Sequence, residues 1–333
     1  MILNPAIIAL ISGSLLISAF ALYASIIGTQ IIHSWDISSG SELQLRLERK
    51  TYLVSTVLAY VLAFELFSLF LFVYTADHMC TLFVGAMCAA GSLNVNAYGY
   101  PTLVLKIVNF FLCGMWLILN YTDNKGFDYP LVKKKYTFLL YITGSLLLEA
   151  VSQTYYFAAM RPDVITSCCG TLFSDQAQSI AGDIASLPPY GAKVLFYVSL
   201  VLVFRAGIHF YRTGRAARVF ANLSTWLFVF SFISIISFIS VYFYQLPTHH
   251  CPFCLLQKEY HYVGYPLYLS LLSAGIMGAS VGMIDKFSGI TSLGHAIPLL
   301  QKKLCLFTMA GYFIFALIAT YPMIFSDFKL MGY

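Results

Sequence analysis

Six of the eight cysteines in this chain fall into three close pairs, each following a long apolar segment: Cys80 and Cys88, Cys168 and Cys169, Cys251 and Cys254. The last pair forms a C-x-x-C within His249-His250-Cys251-Pro252-Phe253-Cys254-Leu255-Leu256-Gln257-Lys258. A dithiol at that spacing can close a disulfide with itself, and its geometry favours one thiolate. A helix starting just after Cys254 would add the positive end of its dipole, and Lys258 would add a charge. Adjacent cysteines such as Cys168 and Cys169 close only a strained ring, and strain makes a disulfide easier to reduce. Paired thiols can therefore pass electrons, hold a soft metal or staple loops. Stapling contributes about 2–4 kcal/mol per bridge.

Metal capture draws on more than thiols. His78, Met79 and Met87 flank Cys80 and Cys88, while His249 and His250 precede Cys251. Thiolate and thioether ligands suit copper(I), and thiolate with imidazole suits zinc. No second C-x-x-C or H-x-x-H completes a zinc pattern. Leu255 after Cys254 argues against covalent c-type haem, and His209 has no intramembrane histidine partner for b-type haem. Phosphate-binding and dinucleotide-binding signatures are absent.

These residues must be positioned by membrane helices. The chain has 333 residues, 59% of them hydrophobic and 10% charged, with a mean hydropathy of +0.79. Soluble domains carry about 25% charged residues. Apolar runs of about 20 residues suffice to span a bilayer, and the sequence predicts eight, at about 5–33, 52–76, 101–121, 136–160, 191–211, 220–246, 262–284 and 304–325. The expected fold class is all-α, a polytopic bundle forming a single integral membrane domain over residues 1–333. The first run lacks a basic leader region and is too long for a signal peptide core.

Most of the 19 Lys and Arg residues lie in alternate loops: Arg46, Arg49, Lys50; Lys125, Lys133, Lys134, Lys135; Arg212, Arg215, Arg218; Lys286, Lys302, Lys303. The positive-inside rule places those loops in the cytoplasm and both termini outside. All three cysteine pairs then share the extracytoplasmic side, where disulfides persist. The net charge of +5 is thereby accounted for by topology, and no nucleic-acid partner is implied.

The three cysteine hairpins resemble one another. Gly99-Tyr100-Pro101 opens the helix after the first pair, Gly264-Tyr265-Pro266 the helix after the third, and Pro188-Pro189-Tyr190-Gly191 the helix after the second. Proline suits a first helical turn, where its missing N–H needs no partner. A threefold helix–cysteine loop–helix repeat is the expected arrangement. Tyrosines at the span ends read as an interfacial belt.

Ionisable residues away from the ends of the predicted spans include Glu65, Lys106, Glu149, Arg205 and His209. Charge in a bilayer is costly, so such groups face a cavity or a partner. Glu65 and Glu149 could take up protons or form ion pairs. Arg205 is the expected basic partner, because Lys106 lies near a helix end and could snorkel outward.

Cys251-Pro252-Phe253-Cys254-Leu255-Leu256-Gln257-Lys258, with Tyr265-Pro266-Leu267 after it, resembles the quinone-linked disulfide-generating membrane proteins of the DsbB type and the related vitamin K epoxide reductases. The resemblance covers about 35 residues. It implies a relay from a substrate thiol, through a loop pair matched here by Cys80 and Cys88, to Cys251 and Cys254 and then to a quinone, with a thioredoxin-like partner at the extracytoplasmic face of a bacterial inner membrane. Lys258, Gln257 and Tyr265 would lie beside the quinone. The families use four core helices, whereas eight are expected here, and Cys168 and Cys169 have no counterpart. Three functions follow as expectations: a thiol–disulfide oxidoreductase, a copper or zinc or solute transporter, and a membrane subunit of a larger complex with structural disulfides.

Overall fold

The computed structural model describes residues 3–162, 164–167, 169–173 and 180–330, without the side chains of Cys169 and Ile180. The described residues are helical apart from loops and one isolated parallel bridge between Val84 and Ile165. The long helices are α1 (Pro5–Ser34), α2 (Glu42–His78), α4 (Gly99–Asp123), α5 (Val132–Ala158), α8 (Pro189–Thr213), α9 (Ala217–Ser234), α11 (Gly264–Asp285) and α12 (Ala296–Phe325). Short helices α3 (Ala89–Leu93), α6 (Cys169–Leu172) and α7 (Ile180–Ala185) lie in loops, and α10 (Ser240–Tyr244) continues the line of α9.

Sequence accounts for the helix ends. Asn4 caps α1, its side chain accepting from the Ala6 N–H at 2.9 Å, with Pro5 in the first turn. Gly99, Pro189 and Gly264 begin α4, α8 and α11, as the Gly-Tyr-Pro and Pro-Pro signals predict. Gly214 ends α8 at φ 68°, a left-handed cap that favours glycine.

The protein is a polytopic helical membrane protein. Among the described residues, seven helices are long and apolar enough to cross: α1, α2 with its following turn, α4, α8, α9 through α10, α11 and α12. Large apolar side chains such as Leu16, Phe67, Phe307 and Phe325 are exposed on these helices and meet lipid. The eighth expected span, α5, is 27 residues long but is not among the seven. Thr143, Ser145, Glu149, Ser152, Gln153 and Thr154 dilute its apolar character. Two boundaries differ most from expectation: α2 takes in Arg46, Arg49 and Lys50, and α12 starts at Ala296. Both differences arise because amphipathic flanks continue the helix beyond its apolar run.

The chain forms two compact units. The first comprises residues 1–75, 95–161 and 287–297; the second comprises 76–94, 162–286 and 298–333. In the first, α1 and α4 both pack on α5. Its core holds Ile17, Leu58, Cys113, Trp116, Tyr136 and Leu139. The Trp116 indole donates to the Lys135 carbonyl at 3.0 Å. Lys135, expected in a cytoplasmic loop, is instead buried in the first turn of α5 and pairs with Asp123 at 2.8 Å. The α5 helix begins at Val132, which turns Lys135 inward toward Asp123 and Asn120.

In the second unit, α9 packs against α8 and α11. A Cβ on Gly278 would meet the Ser224 side chain, so glycine there allows the α9–α11 approach. Between α9 and α10 a π turn occupies Ile235–Ile239, an interruption the apolar run does not reveal. Cys305 is buried in α12 and contacts the Gly207 carbonyl at 3.5 Å. It and Cys113 are fully buried packing residues.

Candidate functional site

Three cysteines from two loops of the second unit meet in its interior. The sulphurs of Cys88, Cys251 and Cys254 all lie within 4.8 Å of one another. Cys88 Sγ is 3.7 Å from Cys251 Sγ. Ala90, Phe173, Phe253, Tyr244 and Tyr260 surround them in an apolar shell. Cys80 sits in a single 3₁₀ turn, Cys80–Leu82, and is partly exposed.

Loop chemistry builds the cluster. Cys88 occupies the extended position just before α3. Asp77, near the end of α2, accepts from the Ala89 N–H at 3.0 Å. Gln257 Nε2 donates to the Met87 carbonyl at 2.8 Å and toward Asp77 Oδ1 at 3.3 Å. One glutamine thus ties the C-x-x-C loop to the Cys88 loop. Two tyrosines hold the C-x-x-C backbone: Tyr244 OH donates to the Cys251 carbonyl at 2.5 Å, and Tyr268 OH to the Pro252 carbonyl at 2.7 Å. Sequence reasoning assigned Tyr244 to the interfacial belt and missed Tyr268. Its position four residues after Gly264, on the helix that follows the C-x-x-C, is the signal that could have found it.

A third loop docks on the first. The Thr166 N–H donates to the Val84 carbonyl at 3.0 Å, and its hydroxyl donates to the Gly91 carbonyl at 3.0 Å. Gly85 makes the approach at φ +90°, where a Cβ would strike the Thr166 carbonyl oxygen. Helix α6, which begins at Cys169, packs on α3. Cys168 and the Cys169 side chain lie outside the described residues.

Other expected residues separate from the cluster. Lys258 is exposed, and Tyr265 is half-buried beside Tyr262. The turn after Cys254 is a three-residue 3₁₀ helix, and α11 begins only at Gly264. The expected helix dipole at Cys254 is therefore lacking. Gln257 is extended, and His261 and Tyr262 are left-handed, which interrupts helical continuation.

The imidazoles and Met79 do not join the three sulphurs either. His78 is exposed and Met79 is buried. His249 packs edge-on against Tyr244, with ring centres 4.5 Å apart. His250 Nδ1 lies 2.9 Å from the Ile236 carbonyl in the π turn. A carbonyl only accepts, so Nδ1 carries the hydrogen there and is not open to a metal. Among the described residues no disulfide bond is closed, so the expected staples are not present in this arrangement.

The intramembrane charges resolve differently from expectation. Arg205 is exposed on α8, and no ion pair to it occurs among the described residues. Its place is taken by Lys106, which is fully buried in the first unit and pairs with Glu149 at 2.6 Å and Glu65 at 3.7 Å. Two turns of α4 precede Lys106, and α4 packs on α5, so its ammonium turns inward to Glu149 instead of snorkelling.

Fold and site together define a polytopic helical membrane protein with a buried three-cysteine cluster. No family model, curated protein or solved structure matches the chain.

Proposed function

We propose that the protein is a membrane thiol–disulfide oxidoreductase that takes electrons from extracytoplasmic thiols and delivers them to a quinone. The observation that carries this reading is the approach of Cys88 Sγ to Cys251 Sγ at 3.7 Å, with Cys254 beside them. Cys80, where the substrate would enter, is partly exposed, whereas Cys88, Cys251 and Cys254 are buried.

The cycle starts with Cys80–Cys88 and Cys251–Cys254 both oxidised. A substrate thiolate attacks Cys80, forming a mixed disulfide and releasing the Cys88 thiolate. Cys88 attacks Cys251, so the Cys88–Cys251 bond forms and Cys254 leaves as a thiolate that takes a proton. The second substrate thiol displaces Cys80, leaving the substrate as its disulfide. Cys80 then attacks Cys88 and releases Cys251. The Cys251/Cys254 dithiol gives two electrons and two protons to the quinone, which becomes a quinol. Apolar burial disfavours thiolates, so exchange begins at Cys80 and proceeds inward. Gln257 is already committed to the two loops, which leaves Lys258 and Tyr265 to meet the quinone carbonyls.

The basic loops favour a bacterial inner-membrane location with the cysteine loops outside. If α5 crosses with the seven other helices, the even count puts both termini on that face. A thioredoxin-like dithiol protein is the fitting substrate.

A Cys254→Ser variant in membranes, given such a dithiol protein and oxidant, is expected to accumulate a Cys88–Cys251 disulfide, detected by mass mapping without reduction. Cys88→Ser should abolish it. The relay is lost as an explanation if Cys251 and Cys254 in the parent protein keep the same thiol state with and without quinone.

A second reading, soft-metal capture, is favoured by the same spacing. Thiolates about 2.3 Å from a tetrahedral zinc stand about 3.8 Å apart, close to the Cys88–Cys251 separation. Elemental analysis of purified protein is the test: one copper or zinc per chain, absent from a folded Cys88→Ser variant, would favour this reading over the relay.

A further inference from the structure

We propose that the first unit holds an intramembrane proton-binding site, in which Glu65 is a neutral carboxylic acid beside the Lys106–Glu149 ion pair. It is independent of the thiol relay, since every group involved belongs to the first unit and the cysteine cluster to the second: Glu65 and Ser68 on α2, Lys106, Asn109 and Cys113 on α4, and Glu149 on α5.

Charge counting comes first. The cluster holds one ammonium and two carboxyls, all buried. With both acids ionised it would carry an uncompensated negative charge, which costs several kcal/mol in an apolar interior. One bound proton restores neutrality.

Donors then decide which acid holds it. Glu149 Oε1 accepts from Lys106 Nζ at 2.6 Å, and Oε2 accepts from Asn109 Nδ2 at 2.5 Å. Hydrogen bonds donated to a carboxyl favour its charged form. Lys106 spends a further hydrogen on Ser68 Oγ at 2.6 Å. Glu65 has no such support. Only 1% of it is exposed, neither of its oxygens has a donor within hydrogen-bond distance among the described residues, and Lys106 Nζ stays 3.7 Å away.

The cluster is also short of donors. Glu65 Oε1, Glu65 Oε2 and Asn109 Oδ1 are buried acceptors without one. Such orphaned groups are costly. A proton on Glu65 converts an acceptor into a donor, so it corrects both the charge and the hydrogen-bond deficit. Phe72 contributes only its ring face, 5.6 Å from Lys106 Nζ, and Cys113 is a buried thiol.

Infrared spectroscopy reads the proton directly. Of the chain's glutamates only Glu65 and Glu149 are buried. Protein labelled with ¹³C-glutamate should therefore show, near neutral pH, a carboxylic-acid C=O band that moves on labelling and again in D₂O. Glu65→Gln should remove that band while the carboxylate signal of Glu149 persists. The labelling experiment needs no variant and stands even if Glu65→Gln misfolds. Absence of a glutamic-acid band in the parent, or its survival in folded Glu65→Gln, would overturn the proposal.

Discussion

Replacing Lys106 by methionine is expected to destabilise the protein by about 3–5 kcal/mol, the largest effect of any single change outside the cysteine cluster. The ammonium is fully buried and is the one ion-pair partner that Glu149 has among the described residues. Methionine fits a similar volume, so little of the loss comes from packing. What remains is a buried acid with its cation removed, which must take up a proton or stay charged at high cost. Thermal unfolding in detergent measures the change. The double variant Lys106→Met, Glu149→Gln should recover most of the loss, because it removes both charges together. If the single variant unfolds like the parent, the buried pair contributes nothing to stability.

Gly85→Ala should open the cysteine cluster from its outer side. The residue needs φ +90°, and its Cβ would collide with the Thr166 carbonyl. Left-handed backbone at a residue with a side chain costs about 1–3 kcal/mol. The collision also falls on the contact that holds the Thr166 loop against Val84 and Gly91. Cys88, fully buried beneath that contact, should be alkylated by a maleimide about tenfold faster than in the parent, since each 1.4 kcal/mol of easier opening is a factor of ten. Cys80, already partly exposed, should change little. Equal rates for Cys88 in the two proteins would show that the Thr166 loop does not guard the cluster.

Much of the architecture was legible in the sequence, because membrane spans are written in long apolar runs and proline- or glycine-marked starts. Gly99, Pro189 and Gly264 stand where helices begin. The cysteine types and their pairing in sequence were also legible, but not their pairing in space. Nothing in a C-x-x-C tells which outside thiol will reach it, and Cys88 arrives through Gln257 and Asp77, whose hydrogen bonds link distant loops. The basic residues misled for a related reason. Position along a span sets the cost of a charge, whereas the neighbouring helix sets whether it has a partner. Lys106 has Glu149 facing it from α5, and Arg205 points outward. The apolar run at 136–160 reads as a span, yet the polar residues within α5 leave it outside the seven helices apolar enough to cross.

That polarity bears on how the protein is made. A lysine or acidic residue at the centre of a segment opposes its entry into the bilayer by about 2.5–3.5 kcal/mol. Helix α4 carries Lys106 and is otherwise strongly apolar, while α5 carries Glu149 and is not. Only residues 124–131 separate them. If the two leave the insertion machinery as a hairpin, each charge enters already neutralised by the other, and α5 need not be apolar enough to insert alone. The buried bond between Lys106 and Glu149 would then act first during biogenesis, as the condition on which α5 joins the membrane at all.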